Sequence, residues 1–221
     1  MAVILGRYKT TKLYEGTTMR LRHRLIGLLV LTASCWAISA CGSVGEVSVT
    51  AGPENILDLP IVATFNPAGA AFFTLENGVL AAVRGEQMQF IATRSTYDDF
   101  LLSVEFWVEP STNSGIFVRC ENADTFSPQS CYEVNIWDDH QVPEYRTGSI
   151  VSVSAPLVNI DSGNRWNSMS LRAEGEHITV SINNVVTAEI ADNTHDSGYI
   201  ALQYGGNNKM VRFRNLRITR L

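Results

Sequence analysis

From about residue 56 onward, the sequence consists of short runs of β-forming residues separated by glycine, asparagine, aspartate and proline. Runs such as 100–108 (FLLSVEFWV) and 177–182 (HITVSI) are rich in β-branched and aromatic residues, as strands are. No window of helical length shows a sustained 3.6-residue period with caps. About eleven such runs, with frequent turns between them, predict an all-β domain built as a two-sheet antiparallel sandwich or jelly roll.

The predicted strands can be placed individually, and they cover residues 78–83, 89–94, 100–108, 114–120, 131–137, 148–154, 167–174, 177–182, 185–190, 198–204 and 211–218. Asn183 and Asn184 stand between two of these strands. Because asparagine tolerates the positive φ that a two-residue hairpin turn needs, this pair predicts a tight hairpin.

The N-terminal part has the pattern of an export signal. Met19 begins a basic run with arginines at 20, 22 and 24, and the apolar stretch 25–37 follows, which is short for a membrane span. Residues 38–41 (ISAC) resemble a bacterial lipobox, in which the cysteine, here Cys41, is lipidated and becomes the new N-terminus. We therefore expect an exported lipoprotein anchored to the membrane at Cys41, and secretion with cleavage nearby stays open.

This pattern divides the chain into three parts. A leader and signal peptide cover residues 1–40, with Met19 a candidate for the true start. A small, polar stretch at 41–55 reads as a flexible tether, and the β-rich domain covers 56–221. Without residues 1–40 the chain carries 11 basic and 21 acidic residues, a net charge of −10. Because such a surface repels polyanions, we expect no nucleic-acid partner and favour neutral ligands such as sugars.

Two cysteines remain in the domain, Cys120 and Cys131. They end one predicted strand and begin the next, and export brings them into a compartment that permits disulfides. We expect them to form a disulfide across the base of the 121–130 loop. A metal site is the alternative, although two cysteines without a CxxC spacing make a poor one.

Several stretches together resemble the 3-keto-disaccharide hydrolase family, among them YDDFLLSVEFWV, NSGIFVRC, CYEVNIWDD and GYIALQYGGNNKMVRFRNLRI. The similarity covers roughly residues 56–221. It implies a jelly roll of the concanavalin A-like or laminin G-like kind and an activity on glycosides whose C3 hydroxyl has been oxidised to a ketone. Such a ketone acidifies the proton on C2, so one base can remove it and the enolate can expel the aglycone from C1 before water adds.

The resemblance implies roles for two residues. Glu133 matches the glutamate of the family's GYExQ strand, which implies a base or a group that grips sugar hydroxyls; an exposed strand glutamate is the alternative. Arg119 matches the arginine that ends the NSGIFxR block, which implies a contact with the ketone or enolate oxygen.

Asn135, Trp137 and Asn113 are candidate substrate-binding residues. Asn135 stands where the family usually has glutamine. Trp137 falls on the same strand face as Glu133 and Asn135 by simple alternation, and it can stack on a sugar ring or belong to the core. Asn113 precedes a predicted strand and can present its amide at the rim, unless Asn-Ser-Gly is an ordinary turn.

Asp138 and His140 are further candidate catalytic residues, because they lie with Asp139 where a strand runs into a loop. Carboxylates and an imidazole at such a place can meet substrate or a divalent cation, or can simply form a solvated turn. No cofactor is assigned, and a divalent metal stays open.

The register of the hairpin decides whether Arg119 can act with Glu133. A flush antiparallel hairpin closed by Cys120 and Cys131 would place Val118 and Glu133 on one face of the sheet and Arg119 on the other. Arg119 would then reach Glu133 only through a bulge or at a sheet edge.

The carboxylate spacing limits the chemistry. Laminarinase-type jelly-roll enzymes carry Glu-x-Asp-x-x-Glu on one strand, and two of these carboxylates are the nucleophile and the acid/base of a retaining mechanism. Glu133, Asn135 and Asp138 occupy this spacing, without the central aspartate and with a shorter last side chain. This spacing disfavours ordinary retaining hydrolysis. With the family resemblance, it implies an exported enzyme that cleaves 3-keto-glycosides by single-base elimination and hydration. A non-catalytic carbohydrate-binding lipoprotein and an envelope interaction protein stay open, since the fold hosts all three.

Overall fold

A computed structural model describes residues 54–221 of the chain. Within this range the chain forms eleven strands, which are β1 (Phe73–Glu76), β2 (Val79–Ala82), β3 (Gln89–Tyr97), β4 (Phe100–Val108), β5 (Ser114–Cys120), β6 (Tyr132–Ile136), β7 (Trp166–Glu174), β8 (His177–Ile182), β9 (Val185–Ala191), β10 (Gly198–Tyr204) and β11 (Val211–Arg220). Two four-residue helices, α1 (Ile61–Thr64) and α2 (Pro67–Ala70), precede the strands, and 3-10 turns cover Ile56–Asp58 and Pro143–Tyr145.

The strands form two antiparallel sheets. The larger sheet has seven strands in the order β1-β2-β11-β4-β7-β8-β9, and the smaller has four in the order β3-β10-β5-β6. Every pair of neighbouring strands in residues 54–221 is antiparallel. The predicted all-β, two-sheet jelly-roll class is thereby confirmed. Within residues 54–221, no helix is long and apolar enough to cross a membrane.

Alternation along the strands places the core between the two sheets. In β7 every second side chain is buried, which is the period-2 pattern of a sheet with one face on the core. The inner face of the small sheet contributes a second set of buried residues, including Ile116, Val134 and Leu202. The predicted hairpin is also present, since Asn183 and Asn184 adopt φ values of 50° and 65° between β8 and β9.

One strand prediction is wrong, and one strand was not predicted. Residues 148–154 do not form a strand, because Gly148 and Ser152 take positive φ values of 87° and 64° that interrupt the extended backbone. Ile150 makes only isolated bridges, to Val134 and Ser154. Strand β1 was not predicted; its four residues pair with β2 through the turn at residues 77 and 78.

The predicted disulfide between Cys120 and Cys131 is confirmed, but the hairpin that it closes is not flush. Phe117 pairs with Glu133, whereas Arg119 takes a φ of 53° and forms a bulge that shifts the register of β5 against β10. Glu133 therefore shares its sheet face with Phe117 and Cys120. Val118 lies in the main core, so the prediction that it shares the face of Glu133 is wrong.

The predicted leader and nearly all of the predicted tether lie outside the described residues. Asn55, the last residue of the predicted tether, already belongs to the folded domain. Its side chain accepts a hydrogen bond from the Leu57 amide and donates one to Asp58, and its backbone bridges to Arg217 on β11.

We predict that replacing Cys120 and Cys131 together by alanine lowers the free energy of unfolding by about 2–4 kcal/mol, because the open 121–130 loop gains entropy in the unfolded chain. Thermal unfolding with and without dithiothreitol measures this loss. The reductant should lower the melting temperature of the wild type and leave that of the double variant unchanged. Equal melting temperatures for the wild type and the double variant, both without dithiothreitol, would contradict the prediction.

Candidate functional site

The outer face of the small sheet carries a cavity of about 240 Å³, here called the outer-face cavity. Its floor comes from the central strands, with Gln203 on β10 and Phe117 on β5, and from β6 with Glu133 and Asn135. All residues of β5 and β6 are buried, so the outer face of this sheet is covered as well as the inner one. The volume is below the about 300–1,000 Å³ of pockets for drug-sized ligands, and it suits a single sugar ring.

Two chain segments build the walls of this cavity. The disulfide loop, residues 121–130, supplies Phe126, Ser127 and Pro128. The covering segment, residues 137–151, supplies Trp137, His140, Tyr145 and Val151. This segment is fixed on the free edge of β6, where the amides of residues 148 and 151 donate to the carbonyls of residues 135 and 133. Both walls are therefore tied to the strand that carries Glu133.

One wall is apolar and aromatic. The Phe90 ring meets Phe117 edge-on with centroids 5.3 Å apart, and it lies 4.7 Å from Phe126. Met88 continues this wall on the rim of the cavity. Aromatic faces of this kind pack against the C–H faces of sugars, and the lining of the cavity also includes amides, an imidazole and a phenol.

Glu133 is the most unusual group of the site. Its side chain is only 8% exposed, and no group in residues 54–221 donates a hydrogen bond to its carboxyl. Burial without a partner disfavours the charged form and raises the pKa of this carboxyl to about 7. Glu133 can therefore both accept and return a proton near neutral pH, which is what a general acid/base needs.

Gln203 lies next to Glu133 on the floor. A β-carbon at Gly115 would stand 3.3 Å from the Gln203 Oε1 and 3.5 Å from the Glu133 Oε1, so the two oxygens approach the same point above the glycine. The Gln203 Nε2 donates to the Met88 Sδ at 3.5 Å, whereas its buried Oε1 has no hydrogen-bond partner among the described residues.

The predicted binding residues Asn135, Trp137 and Asn113 all line the cavity, as does His140. Asn135 is already engaged, since its amide nitrogen donates to the Tyr145 carbonyl and its Oδ1 accepts from the backbone of β6. Asn135 thus holds the covering segment in place. The alternation that predicted Trp137 on the face of Glu133 agrees with this placement.

His140 stands between two aromatic rings, 4.5 Å from Trp137 and 5.6 Å from Tyr145 by ring centroids, both edge-on. The backbone amide of Val142 donates to the His140 Nδ1 at 3.0 Å. The Val142 carbonyl also lies 3.1 Å from Nδ1. In the tautomer in which Nδ1 accepts from the amide, Nε2 carries the ring proton and can donate it.

Asp138 does not line the cavity, although the sequence places it close to Glu133. Its carboxylate accepts hydrogen bonds from the Thr147 hydroxyl at 2.6 Å and from the backbone and hydroxyl of Ser162, each at 2.7 Å. These three bonds tie the covering segment to the loop before β7. Asp138 is therefore a structural anchor, and Asp139 is exposed, with its pKa lowered by a hydrogen bond from Ser111.

Arg119 does not reach the cavity either, and its predicted contact with substrate beside Glu133 is wrong. The bulge turns its side chain toward the other end of the sandwich, where it is 1% exposed. There the guanidinium donates to the carbonyls of Asp98, Gly175 and His195 and to the Asp99 carboxylate. Arg119 joins three loops by hydrogen bonds and has no atom left for a ligand.

Within residues 54–221, no three histidine, cysteine, aspartate or glutamate side chains gather closely enough to hold a metal ion. Glu133 is also the only carboxylate among the residues that line the outer-face cavity. The metal site left open at Asp138 and His140 therefore finds no third ligand in this part of the chain.

Sequence reasoning missed Gln203, Tyr145 and the aromatic wall. Gln203 carried a usable signal. In the strand 198–204 (GYIALQY), Ile200, Leu202 and Tyr204 point to one face of the sheet, and Gln203 points to the other. A polar residue on the face of a central strand that points away from the core indicates a covered polar site. Tyr145 lies in a loop without such a period, and nothing in its sequence surroundings points to the cavity.

Comparison with known families gives a match over most of the chain. Residues 48–219 match the model of the 3-keto-alpha-glucoside-1,2-lyase-like domain. The same family is called the 3-keto-disaccharide hydrolases. A search among curated proteins finds no match.

Solved structures show the same fold. A provisionally assigned glycosyl hydrolase from Parabacteroides distasonis ATCC 8503 superposes with a TM-score of 0.64 at 24% identity, over 72% of this chain and 95% of the other. A second such protein from this organism gives a TM-score of 0.58 at 17% identity, over 68% and 83%. A carbohydrate binding module from Bacillus subtilis gives 0.53 at 14% identity, over 66% and 89%.

We predict that burial of Glu133 makes stability depend on pH. Its pKa is about 7 in the folded protein against 4.5 for an ordinary glutamate, so between these values the folded state binds more protons than the unfolded state. The free energy of unfolding should therefore fall as pH rises from about 4.5 to about 7 and then level off, by about 3 kcal/mol in total.

Urea unfolding at pH 5 and pH 8 measures this difference. Glu133→Gln should remove the fall, and Glu189→Gln, the same change at an exposed position on β9, should leave it intact. An unchanged pH dependence in Glu133→Gln would show that the group is not buried as described.

Proposed function

The chain belongs to the 3-keto-alpha-glucoside-1,2-lyase-like domain family, and from this membership and the state of Glu133 we propose that it cleaves glycosides of 3-keto-sugars. The family match supports a carbohydrate-related role for the whole domain. The finer assignment rests on one observation: a single buried carboxyl with a pKa near neutrality faces a cavity the size of one sugar ring.

The lone carboxylate favours elimination over ordinary glycoside hydrolysis. Retaining and inverting glycosidases use two carboxyl groups on either side of the glycosidic bond. Here Asp138 is bound by Thr147 and Ser162 and does not line the cavity, so Glu133 has no carboxylate partner there. A reaction that needs only one base is consistent with this arrangement.

In the proposed reaction the ionised Glu133 takes the proton from C2, which the ketone at C3 has made acidic. The electron pair left on C2 forms an enolate with the C3 oxygen, and it then expels the aglycone from C1 as a double bond forms between C1 and C2. Protonated Glu133 can return its proton to the leaving oxygen. Addition of water across that double bond completes the release of the free 3-keto-sugar.

His140 is suited to stabilise the enolate oxygen. In the tautomer in which Nδ1 accepts from the Val142 amide, Nε2–H is a donor on a residue that lines the cavity. A fixed donor aimed at developing charge in a site with little water stabilises a transition state more than it does in solution. The edge contacts with Trp137 and Tyr145 hold the ring in place.

A carbohydrate-binding role without catalysis is the second candidate. Phe90, Phe117, Phe126 and Trp137 all line the cavity, and their rings offer surfaces on which a sugar ring can stack. In that case Glu133 would accept or donate a hydrogen bond to a ligand hydroxyl and would take no proton from carbon.

We further propose that the protein is exported and anchored to the membrane through a lipid on Cys41. The basic run after Met19, the apolar stretch and the lipobox-like residues 38–41 support this proposal. They lie outside the described residues, so the support comes from sequence alone.

We predict that the purified domain releases free sugar from a 3-keto-glucoside, and that Glu133→Gln lowers kcat by roughly 10²–10⁴-fold, the usual contribution of a general base. The wild-type rate should rise with pH up to about 7, because only ionised Glu133 can accept the C2 proton. Sugar release followed from pH 5 to 9 measures both effects.

Glu189→Gln is the matched control, since it makes the same change outside the cavity, and it should keep the wild-type rate. If the domain binds glycans but cleaves no 3-keto-glycoside, the binding role is correct. Binding should then survive Glu133→Gln and be lost in Trp137→Ala.

For the anchor, we predict that cells fed a radiolabelled fatty acid incorporate label into the wild-type chain and not into Cys41→Ser. Cys35→Ser, a cysteine change within the predicted signal peptide, is the control and should retain the label. Label in Cys41→Ser would place lipidation at another residue, and no label in the wild type would contradict the proposed anchor.

A further inference from the structure

The floor of the outer-face cavity contains a polar group that no donor within residues 54–221 satisfies. Gln203 is 3% exposed, and its Oε1 is buried without any hydrogen-bond partner. Buried amide oxygens are nearly always paired, because an unpaired one loses its water without compensation. Gln203 lines the outer-face cavity, so a ligand there can supply the missing donor.

Gln203 is held firmly in this position. Its strand, β10, is central in the small sheet, and its backbone pairs with Phe90 on β3 and with Gly115 on β5. Its carbonyl also accepts from the Ser114 hydroxyl at 2.7 Å, and its Nε2 donates to the Met88 Sδ. The side-chain nitrogen is occupied, which leaves the oxygen as the free acceptor.

Gly115 brings the acceptor and the proposed base together. The Gln203 Oε1 and the Glu133 Oε1 lie 3.3 Å and 3.5 Å from the point where a β-carbon of residue 115 would stand. Any larger side chain there would crowd both oxygens and the Val134 carbonyl, 3.2 Å away. The two groups can therefore touch neighbouring atoms of the same ligand.

We propose that Gln203 is a specificity-determining residue whose Oε1 accepts a hydrogen bond from the C2 hydroxyl of the substrate. This inference rests on the proposed function. The base must reach the proton on C2, and the hydroxyl on that carbon is the donor closest to it. Gln203 then selects sugars that retain an unmodified C2 hydroxyl and orients C2–H toward Glu133.

The test combines a change in the protein with a change in the substrate. Methyl 3-keto-α-glucoside and its 2-deoxy and 4-deoxy analogues are compared on the wild type and on Gln203→Met, which keeps the volume and removes the amide. Loss of the C2 hydroxyl should lower kcat/KM about tenfold more in the wild type than in Gln203→Met, because the variant has no amide oxygen to accept from that hydroxyl. The intrinsic effect of the deletion on C2 acidity is common to both proteins and cancels in this ratio.

The controls separate recognition from structure. Removal of the C4 hydroxyl should lower kcat/KM by the same factor in both proteins, and Gln89→Met, an equivalent change on β3 outside the cavity lining, should behave as the wild type. Gln203→Asn, which keeps the amide but withdraws its oxygen by one methylene, should also weaken the dependence on the C2 hydroxyl. It serves as the second variant if Gln203→Met does not fold.

An equal penalty for the C2 deletion in the wild type and Gln203→Met would overturn the inference, as would a coupling to the C4 hydroxyl instead. Dissociation constants of the same three compounds, measured on Glu133→Gln with and without Gln203→Met, give a readout that does not depend on cleavage. If the wild type cleaves nothing but the tenfold coupling appears in these constants, the proposed reaction fails and the role of Gln203 stands. If the compounds neither react nor bind, both fail.

Discussion

The properties of the site depend on one constraint, which is that the outer face of the small sheet is shielded from water. An antiparallel sheet in a sandwich commonly leaves this face solvated. Here the disulfide loop and the covering segment close over it, so β5 and β6 are buried on both faces. A carboxyl on that face loses water without gaining a partner, and this raises the pKa of Glu133 to about 7.

The shield is built from bonds made by β6 and by the residues directly before and after it. Cys131 at its start ties down the disulfide loop, the amide of Asn135 holds Tyr145, and Asp138 after its end anchors Thr147 and Ser162. These residues shape the cavity without reacting in it. Two carboxylates close in sequence thus differ in role, because in the described part of the chain Asp138 accepts three hydrogen bonds and Glu133 accepts none.

Much of this architecture could be predicted from sequence, because it depends on local alternation. Strands such as β7 and β8 show the two-residue period of buried side chains directly in the sequence. Cys120 ends one predicted strand and Cys131 begins the next, which was enough to predict their disulfide. The same alternation placed Trp137 correctly beside Glu133. These features can be predicted because they depend only on residues that are close to one another in the sequence.

What could not be predicted depends on contacts between distant segments. The bulge at Arg119 turns its side chain toward carbonyls on three loops, and no sequence pattern within 114–120 predicts these contacts. Residues 148–154 look like a strand, yet positive φ at Gly148 and Ser152 folds them over the edge of β6. The burial of Glu133, and so its pKa, follows from that tertiary covering.

The central claim is that Glu133 is a buried, unpaired carboxyl that exchanges its proton near neutral pH. NMR titration of the carboxyl carbon in protein labelled with ¹³C at the glutamate side chains tests it most directly, with Glu133→Gln identifying the signal. The account predicts that this carbon titrates at a pKa of about 7. A midpoint at the ordinary value of 4.5 would contradict it and would remove the physical basis for Glu133 as the base.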